Sequence, residues 1–151
     1  MTRAAAAAAR PAPQRRQPRP GPYWAGVAAT AVVSALIGLL GALVARDILN
    51  LDLRLPTWVL GGNDVWRFTI LGGVSAIIAG ALLELLFVAT PTPTRFFSWI
   101  VGLLTAAAAI VPFSQGGTTG DQVATAVIVL LIGVSLLSIL PGVAARTMRP
   151  I

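Results

Sequence analysis

The chain has 151 residues, of which 56% are hydrophobic and 11% charged, with a mean hydropathy of +0.84 and a net charge of +6. A soluble domain carries about 25% charged residues, so this composition points to a membrane protein with room for one small domain. Histidine and cysteine are both absent, which excludes the usual zinc and haem ligation, cysteine nucleophiles, histidine-based triads and disulfides.

Residues 1–22 are rich in Arg, Pro and Ala. Six consecutive alanines, Ala4 to Ala9, precede Arg10, Pro11, Pro13, Arg15, Arg16, Pro18, Arg19, Pro20 and Pro22. Prolines at that density forbid a continuous helix. With almost no bulky apolar residue, the stretch cannot bury enough surface to fold, and a disordered tail is expected. Tyr23 and Trp24 then open an uncharged run to Ala45. Residues 24–45 would rise about 33 Å as a helix, enough to cross a bilayer core of about 30 Å. The run exceeds the ~7–15-residue apolar core of a signal peptide, and no Ala-x-Ala site follows, so it reads as a retained anchor. Arg46-Asp47 closes it.

From Leu49 to Pro56 apolar and polar residues alternate. Period two predicts an extended strand with one apolar face, serving as a cover for helix ends or as a binding lid. Trp58, Val59 and Leu60 are expected to dip into the headgroups before Gly61-Gly62 turns the chain. The second span is residues 68–89, with Asn63 or Asp64 as its N-cap and Thr90-Pro91 as its stop. The third is residues 93–111, where Thr92-Pro93 suits N-cap and first helical position and Pro112 ends the run. Ser114 to Gly120 is a Gly/Thr-rich loop, expected to be flexible. Asp121 can cap a fourth span, residues 122–143, with Pro141 in its last turn. Tyr23, Trp24, Trp58, Trp66, Phe96, Phe97 and Trp99 fall at span edges, where amphipathic rings favour the headgroup level.

At i, i+4, i+7, i+11 spacing each span offers one face of small or weakly polar residues. Span one reads Ser34, Gly38, Gly41, Ala45; span two Gly73, Ile77, Gly80, Glu84. Span three reads Ser98, Gly102, Thr105, Ala109; span four Leu131, Ser135, Ser138, Gly142. Such residues let helix backbones approach in lipid, and hydroxyls bond between helices. Leu36, Leu40, Ile78, Leu82, Leu130 and Ile139 lie opposite, suited to lipid.

All eleven basic residues are arginine. With the N-terminus inside, the tail, Arg95, Arg146 and Arg149 place eight on the inner side, against Arg46, Arg54 and Arg67 outside. The positive-inside rule therefore predicts cytoplasmic termini. A basic tail beside a membrane helix is explained by topology and anionic headgroups, so nucleic acid is not an expected partner.

Glu84 is the only charged residue inside a span. A carboxylate there costs a few kcal/mol, which the twelve Leu, Ile, Val and Phe of span two offset. It lies about 7 Å from the inner helix end. There it can snorkel or pair with Arg95 or Arg146. Alternatively it is a proton- or cation-accepting carboxyl lining a cavity.

Leu51-Asp52-Leu53-Arg54-Leu55-Pro56 follows span one, Leu83-Glu84-Leu85 falls late in span two, and Arg95-Phe96 opens span three. Val111-Pro112 precedes a small-residue loop, and Pro141 precedes Arg146. In this order the features resemble a family of small four-helix membrane proteins from actinobacteria, catalogued as domain of unknown function number six thousand and sixty-nine. The likeness covers about residues 24–147. It implies a fold and a membrane location and brings no reaction. Some members carry a histidine in the last span; this chain has none, so no role of that histidine transfers.

The expected architecture is an all-α, four-transmembrane-helix bundle over residues 23–147, in the plasma membrane, behind a disordered tail over residues 1–22. No nucleophile–base pair or metal set can be assembled, so neither an enzyme nor a cofactor is expected. The function expected is an accessory, scaffolding or regulatory subunit, acting through contacts with lipids, another membrane protein or a second copy. The alternative is a small oligomeric transporter or channel using Glu84. Four helices enclose little volume, so such a pore would need several copies.

Overall fold

Each of the four apolar runs becomes a helix in the computed structural model, which describes residues 17–18, 20–53 and 63–149. Helix α1 covers Pro20–Leu43 and continues as a π-helical turn over Val44–Ile48. Helix α2 covers Asp64–Ala89 and α3 covers Pro93–Ile110, followed by a 3-10 turn over Val111–Ser114. Helix α4 covers Thr119–Thr147. All four are long and apolar enough to cross a membrane.

Helix α1 starts ahead of the expected residue 24. Pro20 and Pro22 sit in its first turn, where N–H groups have no intrahelical partner and the fixed φ of proline already suits a helix. The prolines thus begin the helix here instead of preventing it. At the other end, Leu49 N–H donates to Val44 O at 3.1 Å and Leu51 N–H to Ala45 O at 2.9 Å. Asn50 between them takes a left-handed φ of 50°, a common way to end a helix. Arg46-Asp47 therefore lies inside the last turn and does not close the helix.

The remaining ends depart from the expected caps in detail. Asn63 is the N-cap position of α2 but makes no side-chain cap bond; its Oδ1 accepts from Arg46 at 2.6 Å instead. Thr92 precedes Pro93 at α3 without a side-chain cap bond. Asp121 lies within α4 and forms a reciprocal pair with Thr118. Thr118 N–H donates to Asp121 Oδ2 at 3.2 Å, and Asp121 N–H to Thr118 Oγ1 at 3.3 Å. This is a capping box, satisfying two otherwise orphan donors. Pro141 does not end α4, which runs on to Thr147. Gly116 and Gly117, with φ of 71° and 111°, turn the chain between α3 and α4 through conformations that disfavour a Cβ.

Helix α1 packs mainly on α2 and α4, and α3 closes the ring by packing on α4 and, less closely, on α2. The core holds Tyr23, Val27, Phe68, Leu83, Phe97, Ile132, Leu136 and Leu140. Tyr23 and Phe97 are fully buried, so these two rings belong to the interior and not to an interfacial belt. Trp24, Trp66, Phe96 and Trp99 are exposed. Trp58 lies outside the described residues, as do Val59, Leu60 and the rest of 54–62.

Two short strands, β1 (Gln17–Pro18) and β2 (Met148–Arg149), pair antiparallel, with Gln17 opposite Arg149 and Pro18 opposite Met148. The pairing brings both flanks of the bundle to one end, as an even number of crossings requires. This end of the tail is ordered against the C-terminal segment; residues 1–16 and 19 lie outside the described residues. The expected strand at 49–56 does not form over its described part, residues 49–53. A lone strand finds no ladder partner there. Leu53 is nonetheless buried and Leu51 half-buried, with Asp52 exposed between them, while Leu49 faces outward.

Candidate functional site

Helices α1 and α2 meet backbone to backbone along a close seam. A Cβ added at Gly38 would overlap the carbonyl oxygen of Phe68, and one at Gly72 would overlap that of Ser34. The two glycines are therefore reciprocal. Each lets the other helix's backbone pass, as small residues do in lipid-embedded bundles. Further along, Gly80 receives Val27, whose methyls would lie 2.6 and 2.8 Å from a Cβ there. Tyr23 completes this end by donating its hydroxyl to Gly80 O at 2.6 Å. A carbonyl has two lone pairs, so this one can bind the tyrosine without giving up its own helix.

Of the small-residue faces, that of span one lies most fully inward: Ser34, Gly38 and Ala45 are buried and Gly41 is half-buried. Gly41 sits against Ile128, with 2.9 Å to a Cβ placed there. Span two differs. Its inner face is Phe68, Gly72, Ala76, Ala79, Gly80 and Leu83, so Gly72 and not Gly73 makes the close approach. Gly73 has only ordinary contact with Ala35, at 3.6 Å from a built Cβ, and Ile77 faces outward. In span three Ser98 is exposed and bonds back to Thr94 O at 3.0 Å. Gly102 has open space beside it, while Thr105 presses on Gly133 of α4. In span four Ser135 faces Ser34 at 3.1 Å between hydroxyls, whereas Ser138 and Leu131 are exposed and Gly142 has open space beside it. The seven-residue spacing thus found the inward face of span one but mixed buried and outward positions in the other three, because glycine, alanine and serine are too frequent here to mark a single face.

Glu84 is half-buried near the end of α2. Its helix nitrogen lies over the Gly80 carbonyl that also accepts Tyr23 Oη. Among the described residues no arginine lies within ion-pairing distance of it; the ion pair present is Arg67–Asp64 at 3.1 Å. Arg95 and Arg146, the expected partners, are both exposed.

At the opposite end of the bundle, sequence reasoning named Asp121 as a cap but missed the polar contacts around it and the burial of Arg67. Arg67, at 8% exposure, is buried and held by Asp64. Asp121, at 7%, caps α4 and also accepts the Asp52 N–H on Oδ1 at 3.0 Å. That bond ties the segment after α1 to the start of α4. The Thr118-x-x-Asp121 spacing ahead of an apolar run was the available signal. No group of three or more acidic, His or Cys side chains that could hold a metal ion occurs among the described residues.

The remaining feature is a cavity of about 240 Å³ between α2, α3 and α4. Its lining is apolar apart from the hydroxyls of Ser75 and Thr105. Glu84 is not part of it.

A family model described as "Family of unknown function (DUF6069)" matches residues 18–146. The chain therefore belongs to that family. No curated protein and no solved structure matches it.

Proposed function

We propose that this member of the DUF6069 family is a non-enzymatic accessory, scaffolding or regulatory subunit, embedded in the plasma membrane by four crossings with both termini cytoplasmic. The observation that carries this reading is the distribution of polarity inside the bundle. The described interior is filled by close-packed side chains and glycine-mediated backbone contacts, and its cavity is apolar. A transported ion or polar solute needs a line of polar groups to replace its water. Glu84 is one helix turn from the α2 end, half-buried and outside the cavity. A carboxylate so placed reaches the headgroup level by snorkelling. The broad exposed apolar surface, including Leu36, Leu40, Ile78, Leu85, Leu103 and Leu104, supplies the area for contact with lipid or with another membrane protein.

The test is reconstitution into liposomes with a proton gradient or a cation gradient. The expected result is no flux above protein-free liposomes. Flux that disappears in Glu84→Gln, with equal incorporation of the variant, would replace the accessory reading by an oligomeric transporter.

A further inference from the structure

We propose that the cavity between α2, α3 and α4 is a binding site for one acyl chain of a membrane phospholipid. The floor is Ile132, Gly133 and Leu136 of α4, and Ile78 and Leu104 form an outward-facing rim, at 63% and 62% exposure. The opening therefore faces sideways, between α2 and α3, toward the bilayer interior.

Dimensions decide what fits. The lining runs from Leu71 to Leu82 on α2, from Val101 to Ala108 on α3 and from Val129 to Leu136 on α4. At ~1.5 Å per residue the groove is about 10–16 Å long. Spread over that length, its 240 Å³ leaves a narrow groove that one polymethylene chain, with its carbons about 4 Å from the wall atoms, can enter. A helix with side chains is about 10–12 Å wide. Neither a partner's helix nor a helix from a second copy can enter the groove.

Chemistry narrows the occupant further. A bound water needs two to four polar partners. The lining offers two hydroxyls, and Ser75 Oγ already donates to Gly72 O at 2.9 Å. Left unfilled, the walls would forfeit dispersion contacts along the whole groove. A flexible methylene chain restores them without a polar partner. The headgroup end is marked by charge. Arg95 is exposed in the first turn of α3, about 9 Å along the axis from Val101 at the groove's end. Its guanidinium is within reach of a phosphate whose chain enters between α2 and α3.

This inference rests on the membrane placement of the helices but not on the accessory role, and it fails separately from either. Delipidated protein in detergent is titrated with palmitoyl-oleoyl phosphatidylglycerol and followed by native mass spectrometry. The expected result is one adduct per chain that saturates. Ala108→Phe, from an exposed position on the groove, fills it and weakens the adduct at least tenfold. Ile78→Trp narrows the mouth from α2 and does the same, and Arg95→Gln weakens it less. Ala106→Phe, exposed on another face of α3, leaves binding unchanged. Lipid binding by both groove variants equal to wild type overturns the proposal. So does unsaturable addition to the wild type, or a dimer mass that forms in place of the lipid adduct.

Discussion

At the scale of single residues, the glycines at the α1–α2 seam carry the most demanding packing. Gly38 and Gly72 face carbonyl oxygens, and a backbone cannot swing aside as a side chain can. Gly72→Leu should therefore separate the helices and lower thermal stability in detergent sharply, by about 3 kcal/mol or more if the helices cannot readjust. Gly73→Ala, one position away with 3.6 Å of clearance, should be neutral or slightly stabilising, because alanine is the better helix former. Equal effects of the two would show that the seam is not where the structure puts it. Asp121 makes a second sharp case. Asp121→Ala would strip acceptors from the Asp52 and Thr118 N–H groups at once, costing about 1–3 kcal/mol. Asp121→Asn keeps one acceptor oxygen and should fall between. Ser34→Ala removes a hydroxyl pair between α1 and α4, yet interhelical bonds of this kind average only about 0.6 kcal/mol in membranes. A small loss in the same unfolding assay is expected.

At the scale of elements, length and hydropathy made the four helices legible, whereas beyond α1 their faces were not. A span that is apolar all round has no amphipathic signature to point inward. Phe68 and Gly72 therefore could not be told from Ile77 and Gly73 by periodicity, and the choice was settled only by which backbone lay opposite. Tyr23 shows the same limit. At a span edge it reads as an interfacial ring, but the Gly80 carbonyl gives its hydroxyl a partner deep enough for full burial. The helix starts illustrate a different difficulty. Pro20 and Pro22 are breakers within a helix and good openers at its first turn, so a proline-rich stretch does not itself reveal where disorder stops. The pairing of Gln17–Pro18 with Met148–Arg149 could not be read at all, since two residues carry no period. It does make the tail divisible by experiment. Removing residues 2–16 should leave the melting temperature in detergent unchanged. Extending the deletion to residue 18 removes the paired segment and should lower it by a few degrees. A large loss already in the shorter deletion would mean that the first sixteen residues pack on the bundle.

At the scale of the whole molecule, the proposed orientation rests on the distribution of charge. By sequence, Asp47, Asp52, Asp64 and Asp121 fall with Arg46, Arg54 and Arg67 in or beside the connections α1–α2 and α3–α4. The other end holds Glu84 together with Arg95, Arg146 and the paired segments Gln17–Pro18 and Met148–Arg149. The first end is nearly neutral and internally paired, through Arg46–Asn63, Arg67–Asp64 and Asp121–Asp52. The second keeps Arg95 and Arg146 exposed, where an anionic cytoplasmic leaflet would add about 1 kcal/mol for each basic residue close to its surface. Both the positive-inside rule and the leaflet potential thus favour the same orientation. The chain contains no cysteine, so a single introduced thiol reports its side without background. Ile48→Cys, at 70% exposure just after α1, should react with a membrane-impermeant maleimide in intact cells. A cysteine at Arg146, near the end of α4, should react only after the membrane is opened. Neutralising the tail arginines should shift a fraction of molecules to the inverted orientation, in which the two labelling patterns exchange. Labelling of the residue 146 thiol in intact wild-type-background cells would overturn the orientation while leaving the bundle itself untouched.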